Sequence, residues 1–227
     1  MIILGSKNKL KRFLENDSFK NLYQPERNHL IKNGFEYKGK WKSSYFNNKG
    51  SIILELGCGK GEYTTKLAKL NLNNNYIGID IKGARLWRGA KNAIEQNLEN
   101  VVFIRSQIEL LNLIFEENEV DQIWLTFPDP QMKYKRKKHR LVNTDFLDLY
   151  KKILNKNGVI HLKTDSQFLH GYVLGILESK NITPIFSNHS IYKNNNAPEE
   201  ALKIRTFYEK KFLDKDLDIS YLSFKFD

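Results

Sequence analysis

Three glycines are spaced through the segment Leu54-Glu55-Leu56-Gly57-Cys58-Gly59-Lys60-Gly61-Glu62. Glycine at 57, 59 and 61 lets a backbone turn tightly and approach a ligand with no Cβ in the way. A dinucleotide-binding loop would read Gly-x-Gly-x-x-Gly and set a pyrophosphate on a helix N-terminus. Here Glu62 takes the last position, and Glu55 adds a carboxylate two residues before the first glycine. Both would repel phosphate and suit a ligand carrying positive charge. S-adenosylmethionine has a sulfonium and an ammonium and no phosphate. Asp80, 19 residues after Gly61, is placed to accept both hydroxyls of its ribose. Gln107 follows a third apolar run, where an amide that donates and accepts would meet an adenine edge. An exposed loop glutamine is the plainer reading of that residue. Cys58 reads as a small filler and Gly78 as relief for strand packing.

A second constellation follows Thr126: Phe127-Pro-Asp-Pro130, then Gln131-Met132-Lys133. Two prolines fix the backbone and hold Asp129 out of a strand, although Pro-Asp-Pro is also an ordinary turn former. Next comes Lys133-Tyr-Lys135-Arg136-Lys137-Lys138-His139-Arg140, in which six of the eight residues are cationic. Such a run is often only a solvated face. Beside a site it would hold phosphates through charge and counterion release, which points to RNA. Asp165 ends a fifth apolar run, and Thr206-Phe-Tyr-Glu209 lies near the C-terminus. Asp165 and Glu209 would accept from guanine N1–H and its amine, while Phe207 or Tyr208 would stack on a base. A helix cap and a surface β segment are the plainer readings there.

The elements that must position these residues alternate. Short apolar runs at 51–56, 76–80, 101–104, 120–127 and 158–163 read as buried strands. Helical patterns at 60–70, 84–98, 108–115, 144–154 and 166–180 separate them. Alternation of this kind requires right-handed crossovers and a parallel, doubly wound α/β sheet, with ligands beyond the carboxyl ends of the strands. After Thr183 the pattern turns to extended segments near 184–192, 204–212 and 220–226, which suggests an antiparallel C-terminal hairpin. Residues 1–48 are basic and aromatic without a clean period and read as a short helix and an irregular arm. The expected organisation is that N-terminal arm followed by one domain over 49–227.

Composition narrows the class. The chain has 227 residues, 41% of them hydrophobic, enough for a substantial core. Its net charge of +11 favours a polyanionic partner, although a Lys- and Asn-rich composition offers a blander explanation. A single cysteine, Cys58, excludes an internal disulfide and a multi-thiolate zinc site, and no metal is expected. No apolar run approaches the roughly 20 residues that span a bilayer, so a cytoplasmic location is expected.

In order, these segments resemble the bacterial tRNA (guanine-N(7)-)-methyltransferase family. The carriers are Glu55 through Gly61, Gly78-Ile-Asp80, Phe127 through Pro130 with Lys133 and the run to Arg140-Leu141, Thr164-Asp165, and Thr206 through Glu209. The resemblance implies a Rossmann-like methyltransferase fold and methyl transfer from S-adenosylmethionine to N7 of guanine 46, in the variable loop of tRNA. It puts Glu55, Asp80, Gln107 and Asp129 on the cofactor side, with Asp129 also catalytic. Lys133, Asp165, Thr206, Phe207, Tyr208 and Glu209 would bind substrate, and Lys135, Arg136, Lys137, Lys138 and Arg140 the RNA backbone. Three departures from the usual pattern stand out: Gln131-Met132 replaces Trp-Pro, Asp80 replaces Glu, and Gln107 replaces Asp. Methylation of another RNA or base atom, and a non-catalytic RNA-binding module, stay open at this point, as does monomer against homodimer.

Overall fold

The computed structural model describes residues 5–226. It comprises two compact units, Met1–Glu116 and Glu117–Asp227. In the first unit, α1 (Gly5–Glu15), β1 (Leu22–Tyr23) and α2 (Arg27–Asn33) precede a strand–helix alternation: β2 (Ile52–Leu56), α3 (Glu62–Leu70), β3 (Asn75–Asp80), α4 (Gly83–Glu95), β4 (Val101–Arg105) and α5 (Leu111–Ile114). The strands lie in the order β1-β4-β3-β2, and all three pairings are parallel. Every side chain of β2 is buried, as expected for a strand covered on both faces. Parallel pairing brings the ends of β2, β3 and β4 to one edge, so Gly57, Asp80 and Gln107 follow neighbouring strand ends.

Residues 5–48 hold more structure than a helix and an irregular arm. β1 extends the sheet beside β4, and α1 packs on α4. Trp41 sits in a π-helical turn, fully buried, and donates from Nε1 to the Ile114 carbonyl at 3.1 Å. Phe35 and Phe115 stack on it at 5.4 and 5.7 Å. Aromatic packing replaces periodicity here, so the sequence shows no helical or strand rhythm to read.

The second unit contains β5 (Val120–Thr126), α6 (Thr144–Ile153), β6 (Leu154–Thr164), α7 (Gln167–Ser179), β7 (Phe186–Asn188), α8 (Ile191–Asn194), α9 (Glu199–Lys203), α10 (Phe207–Leu213) and β8 (Ser220–Lys225). Its strand order is β5-β6-β8-β7, with β5 and β6 parallel and β8 antiparallel to both neighbours. The antiparallel C-terminal pair is therefore present. The extended reading of 204–212 is corrected: Thr206 caps a helix. Its hydroxyl accepts from Glu209 N–H at 3.2 Å while the Glu209 carboxylate accepts from Thr206 N–H, a capping box that the Thr-x-x-Glu spacing encodes. Among the described residues no helix is long and apolar enough to cross a membrane.

Candidate active site

Gly57, Gly59 and Gly61 all adopt left-handed backbone, with φ of 75°, 58° and 66°. They differ in what their missing side chains make room for. A Cβ on Gly61 would stand 2.5 Å from the Phe103 ring, which also lies against Gly78 and Gly89, so Gly61 and Gly78 serve packing. A Cβ on Gly59 would meet nothing within 4 Å. That glycine leaves open space, the arrangement expected where a backbone must let a ligand approach.

Two carboxylates hold the loop around that space. Asp80, at the end of β3, accepts from Gly59 N–H at 2.9 Å through Oδ2 and from Lys82 N–H at 2.8 Å through Oδ1. Glu55 is buried on β2, and its Oε2 accepts from the Thr64 amide at 2.8 Å and from the Thr64 hydroxyl. Glu55 thereby ties the strand to the first turn of α3. A carboxylate offers about four acceptor positions, so Asp80 retains capacity for ligand hydroxyls. Cys58 is buried, and burial first, then Glu55 and Asp80, push its thiol well above the ordinary range. It is an inert filler.

Gln107 follows β4 and lines a cavity of about 350 Å³ with Ile81, Ser106 and Leu110. Its Oε1 accepts from Arg27 at 2.6 Å. Ile81, the residue after Asp80, is 53% exposed and presents an apolar face to this cavity. Neither Ile81 nor Arg27 belongs to a motif that the sequence displays. For Ile81 the available signal is an isoleucine just beyond the strand end that exposes it.

In the second unit, Pro128-Asp129-Pro130 is flanked by two non-glycine residues in left-handed conformation, Phe127 at φ 49° and Gln131 at φ 46°. Such backbone costs about 1–3 kcal/mol and clusters at functional sites. The loop is pinned by Phe127 N–H donating to the Lys163 carbonyl at 2.8 Å. Asp129 accepts from Gln131 N–H at 2.9 Å and is exposed. Because β5 and β6 are parallel, Asp129 and Asp165 follow adjacent strand ends. Asp165 is half-buried, and loss of hydration raises its carboxyl above the usual range, partly offset by its own backbone amide.

The basic run forms a 3-10 turn over Tyr134–His139 with every side chain exposed. Among the described residues, Lys133, Lys135, Arg136, Lys137 and Lys138 have no carboxylate within ion-pair distance. Arg140 is the exception to the expected surface. It is buried, donates to the carbonyls of Pro130 and Gln131 at 3.1 and 3.2 Å, and lies over the rings of Phe168 and Tyr172. Its role is to fasten the Asp129 loop, and it leaves the RNA-facing set.

Glu209 is fully buried as well. Its Oε1 accepts from Lys163 Nζ at 2.6 Å and from the Tyr192 hydroxyl, and its Oε2 serves the capping box. Lys163, also fully buried, further donates to the Ile204 carbonyl at 2.9 Å. These contacts fix α10, on which Phe207 and Tyr208 stand 50% and 52% exposed. Lys163 is a supporting position that no motif marks. A lysine inside an apolar strand is the signal, since a covered sheet cannot hold an unpaired ammonium.

Comparison with known proteins agrees with this architecture. A family model described as "Putative methyltransferase" matches residues 49–222. A Christiangramia forsetii protein named tRNA (guanine-N(7)-)-methyltransferase is 57% identical over 222 residues, 98% of this chain and 99% of its own. A Porphyromonas gingivalis protein of the same name is 48% identical over 191 residues, 84% of this chain and 78% of its own. The crystal structure of a 30S ribosomal A1408 methyltransferase from an uncultured bacterium has a TM-score of 0.58 at 20% identity, covering 88% of this chain and 94% of that one. A SAM-dependent methyltransferase of Aquifex aeolicus scores 0.53 at 14% identity, covering 88% and 98%. At such identities these two structures speak to the fold, a Rossmann-like methyltransferase sheet. With relatives this similar, matched along nearly its whole length, the chain belongs to the tRNA (guanine-N(7)-)-methyltransferase family.

Proposed function

We propose that this protein transfers a methyl group from S-adenosylmethionine to N7 of guanine 46 in the variable loop of tRNA. The observation that carries the reading is the open left-handed backbone at Gly59 beside the Asp80 carboxylate. A side chain at 59 would fill that cradle, and the Asp80 carboxylate already holds its amide, which fits a cationic donor better than a pyrophosphate. Asp80 would hold the ribose hydroxyls, Gln107 with Ile81 the adenine, and Glu55 the loop Gly57–Gly61 that receives the rest. When bound, the cofactor supplies a methyl group made electrophilic by its sulfonium.

The second unit would handle the base. Guanine N7 has an in-plane lone pair and no proton to lose, so catalysis rests on orientation and charge rather than on a general base. Asp129, fixed by the two prolines and by Arg140, would orient the guanine and stabilise positive charge as it develops on the ring. Asp165 would accept from N1–H and the exocyclic amine, and Phe207 or Tyr208 would stack on a base. Thr206 and Glu209 act on substrate through the position they give α10. Lys133, Lys135, Arg136, Lys137 and Lys138 would hold backbone phosphates. A cytoplasmic location, where tRNA is modified, follows from the reaction.

The test is methylation of unmodified total tRNA with methyl-labelled cofactor, followed by reduction and aniline cleavage, which cut the chain at N7-methylguanine. Cleavage confined to guanine 46 is expected. Label on an exocyclic amine, on another base atom, or on no tRNA would overturn the reading.

A further inference from the structure

A cavity of about 800 Å³ in the first unit lies between α1 and the start of α4 and shares Ile81 and Arg105 with the cavity beside Gln107. Lys9, Arg12, Lys82, Arg85 and Arg105 line it, and among the described residues no carboxylate does. Among the described residues none of these five is within ion-pair distance of an acid. The acids nearest in sequence are engaged elsewhere. Glu15 accepts from Trp87 Nε1 at 2.6 Å, Asp17 from Gln24 at 2.8 Å, and Asp80 from two backbone amides.

Two of the cations are held in place. Arg12 lies over the Trp87 ring at 4.8 Å, and Arg105 lies over Phe13 at 4.7 Å while donating to the Ile81 carbonyl at 3.3 Å. Asn16 donates to the Gly83 carbonyl at 3.0 Å, joining the end of α1 to the start of α4. A Cβ on Gly83 would stand 2.9–3.0 Å from Gln24, Arg105 and Phe13, so glycine lets this wall close. Positive charge continues past the rim with Arg88, over Trp87 at 5.0 Å, while Lys91 beside it at 5.1 Å is paired with Glu95 at 3.9 Å. Five mutually repelling cations without a counter-charge call for an anionic partner. A track that runs on beyond the cavity suits a polymer of phosphates better than one small anion.

We propose that this cavity is a second tRNA-backbone site, in which Lys9, Arg12, Lys82, Arg85 and Arg105 seat phosphodiesters. The inference rests on the function proposed above and adds a surface that the basic run does not include. The test compares wild type with the triple variant Lys9→Gln, Lys82→Gln, Arg85→Gln, whose side chains are exposed. Binding of tRNA is measured as a function of salt, alongside titrations with S-adenosylmethionine and with inorganic phosphate.

The variant is expected to bind S-adenosylmethionine normally and to show a salt slope shallower by about 2, from about 0.7–0.9 for each phosphate no longer neutralised. The charge-preserving variant Lys9→Arg, Arg85→Lys should keep the wild-type slope. Coincident slopes for wild type and triple variant would overturn the proposal. So would loss of inorganic phosphate binding with tRNA binding unchanged, which would make the cavity a small-anion site. Wild type is mapped on the same tRNA: methylation at guanine N7 with coincident slopes removes only this inference. Different slopes without methylation at N7 remove only the proposed reaction.

Discussion

Removing Glu209 should unfold the second unit more readily than any surface change. Glu209 and Lys163 have no exposed side-chain surface and meet at 2.6 Å. Glu209→Ala takes the carboxylate away from the buried Lys163 ammonium, which keeps the Ile204 carbonyl at 2.9 Å and the Tyr192 hydroxyl at 3.3 Å among its neighbours. Removing one partner of a buried pair costs about 3–5 kcal/mol, because the other charge stays desolvated. Loss of the capping box adds about 1 kcal/mol. Since Lys163 keeps two acceptors, the expected total is about 4 kcal/mol, or a fall in Tm of roughly 8–16 °C for a chain of this size. Urea unfolding followed by tryptophan fluorescence measures it. The double variant Lys163→Met, Glu209→Leu replaces the pair with apolar groups and should recover most of the loss. A cost below about 1 kcal/mol for Glu209→Ala, or a double variant as unstable as the single one, would refute the argument.

Three other outcomes follow from the same geometry. Asp80→Asn should weaken S-adenosylmethionine about 10–100-fold in calorimetry, the worth of a charged hydrogen bond; unchanged affinity would remove Asp80 from the ribose. Asp129→Asn keeps the bond from Gln131 N–H but loses the charge, so kcat should fall about 100-fold with cofactor affinity intact; equal single-turnover rates would remove Asp129 from the mechanism. His161 stacks on Trp124 at 4.1 Å, and burial pushes its pKa down to about 3. The unfolded chain therefore takes up this proton first, and stability is lost as pH falls below about 6.5, by about 1.4 kcal/mol per pH unit. Urea midpoints of wild type and His161→Phe between about pH 7.5 and 5 should diverge accordingly, and parallel curves would refute it.

Strand ends are the most legible part of the molecule. Gly57–Gly61, Asp80, Asp129 and Asp165 each stand just past an apolar run, because strand length and loop chemistry are local properties of the sequence. Residues whose role depends on distant partners are not legible in this way. Arg140 looks like one more cation in a basic run, yet the rings of Phe168 and Tyr172 draw it inward. Glu209 looks available for a base, but Lys163, 46 positions earlier, claims it. Thr206-Phe-Tyr-Glu209 falls within a stretch that reads as extended, although its Thr-x-x-Glu spacing is itself the local signal of a helix start. Residues 22–46 show no period because their order comes from rings packed around Trp41.

The claim that the glycine loop and its acids form the seat of a cationic methyl donor is tested most directly by titrating S-adenosylmethionine into wild type and Gly59→Ala. Position 59 has open space around it, so the substitution should cost only the left-handed backbone penalty of about 1–2 kcal/mol and leave the chain folded. Wild type is expected to bind and Gly59→Ala to lose binding, while Gly61→Ala, crowded by Phe103, should lose stability first. A folded Gly59→Ala that binds S-adenosylmethionine as tightly as wild type would contradict the account.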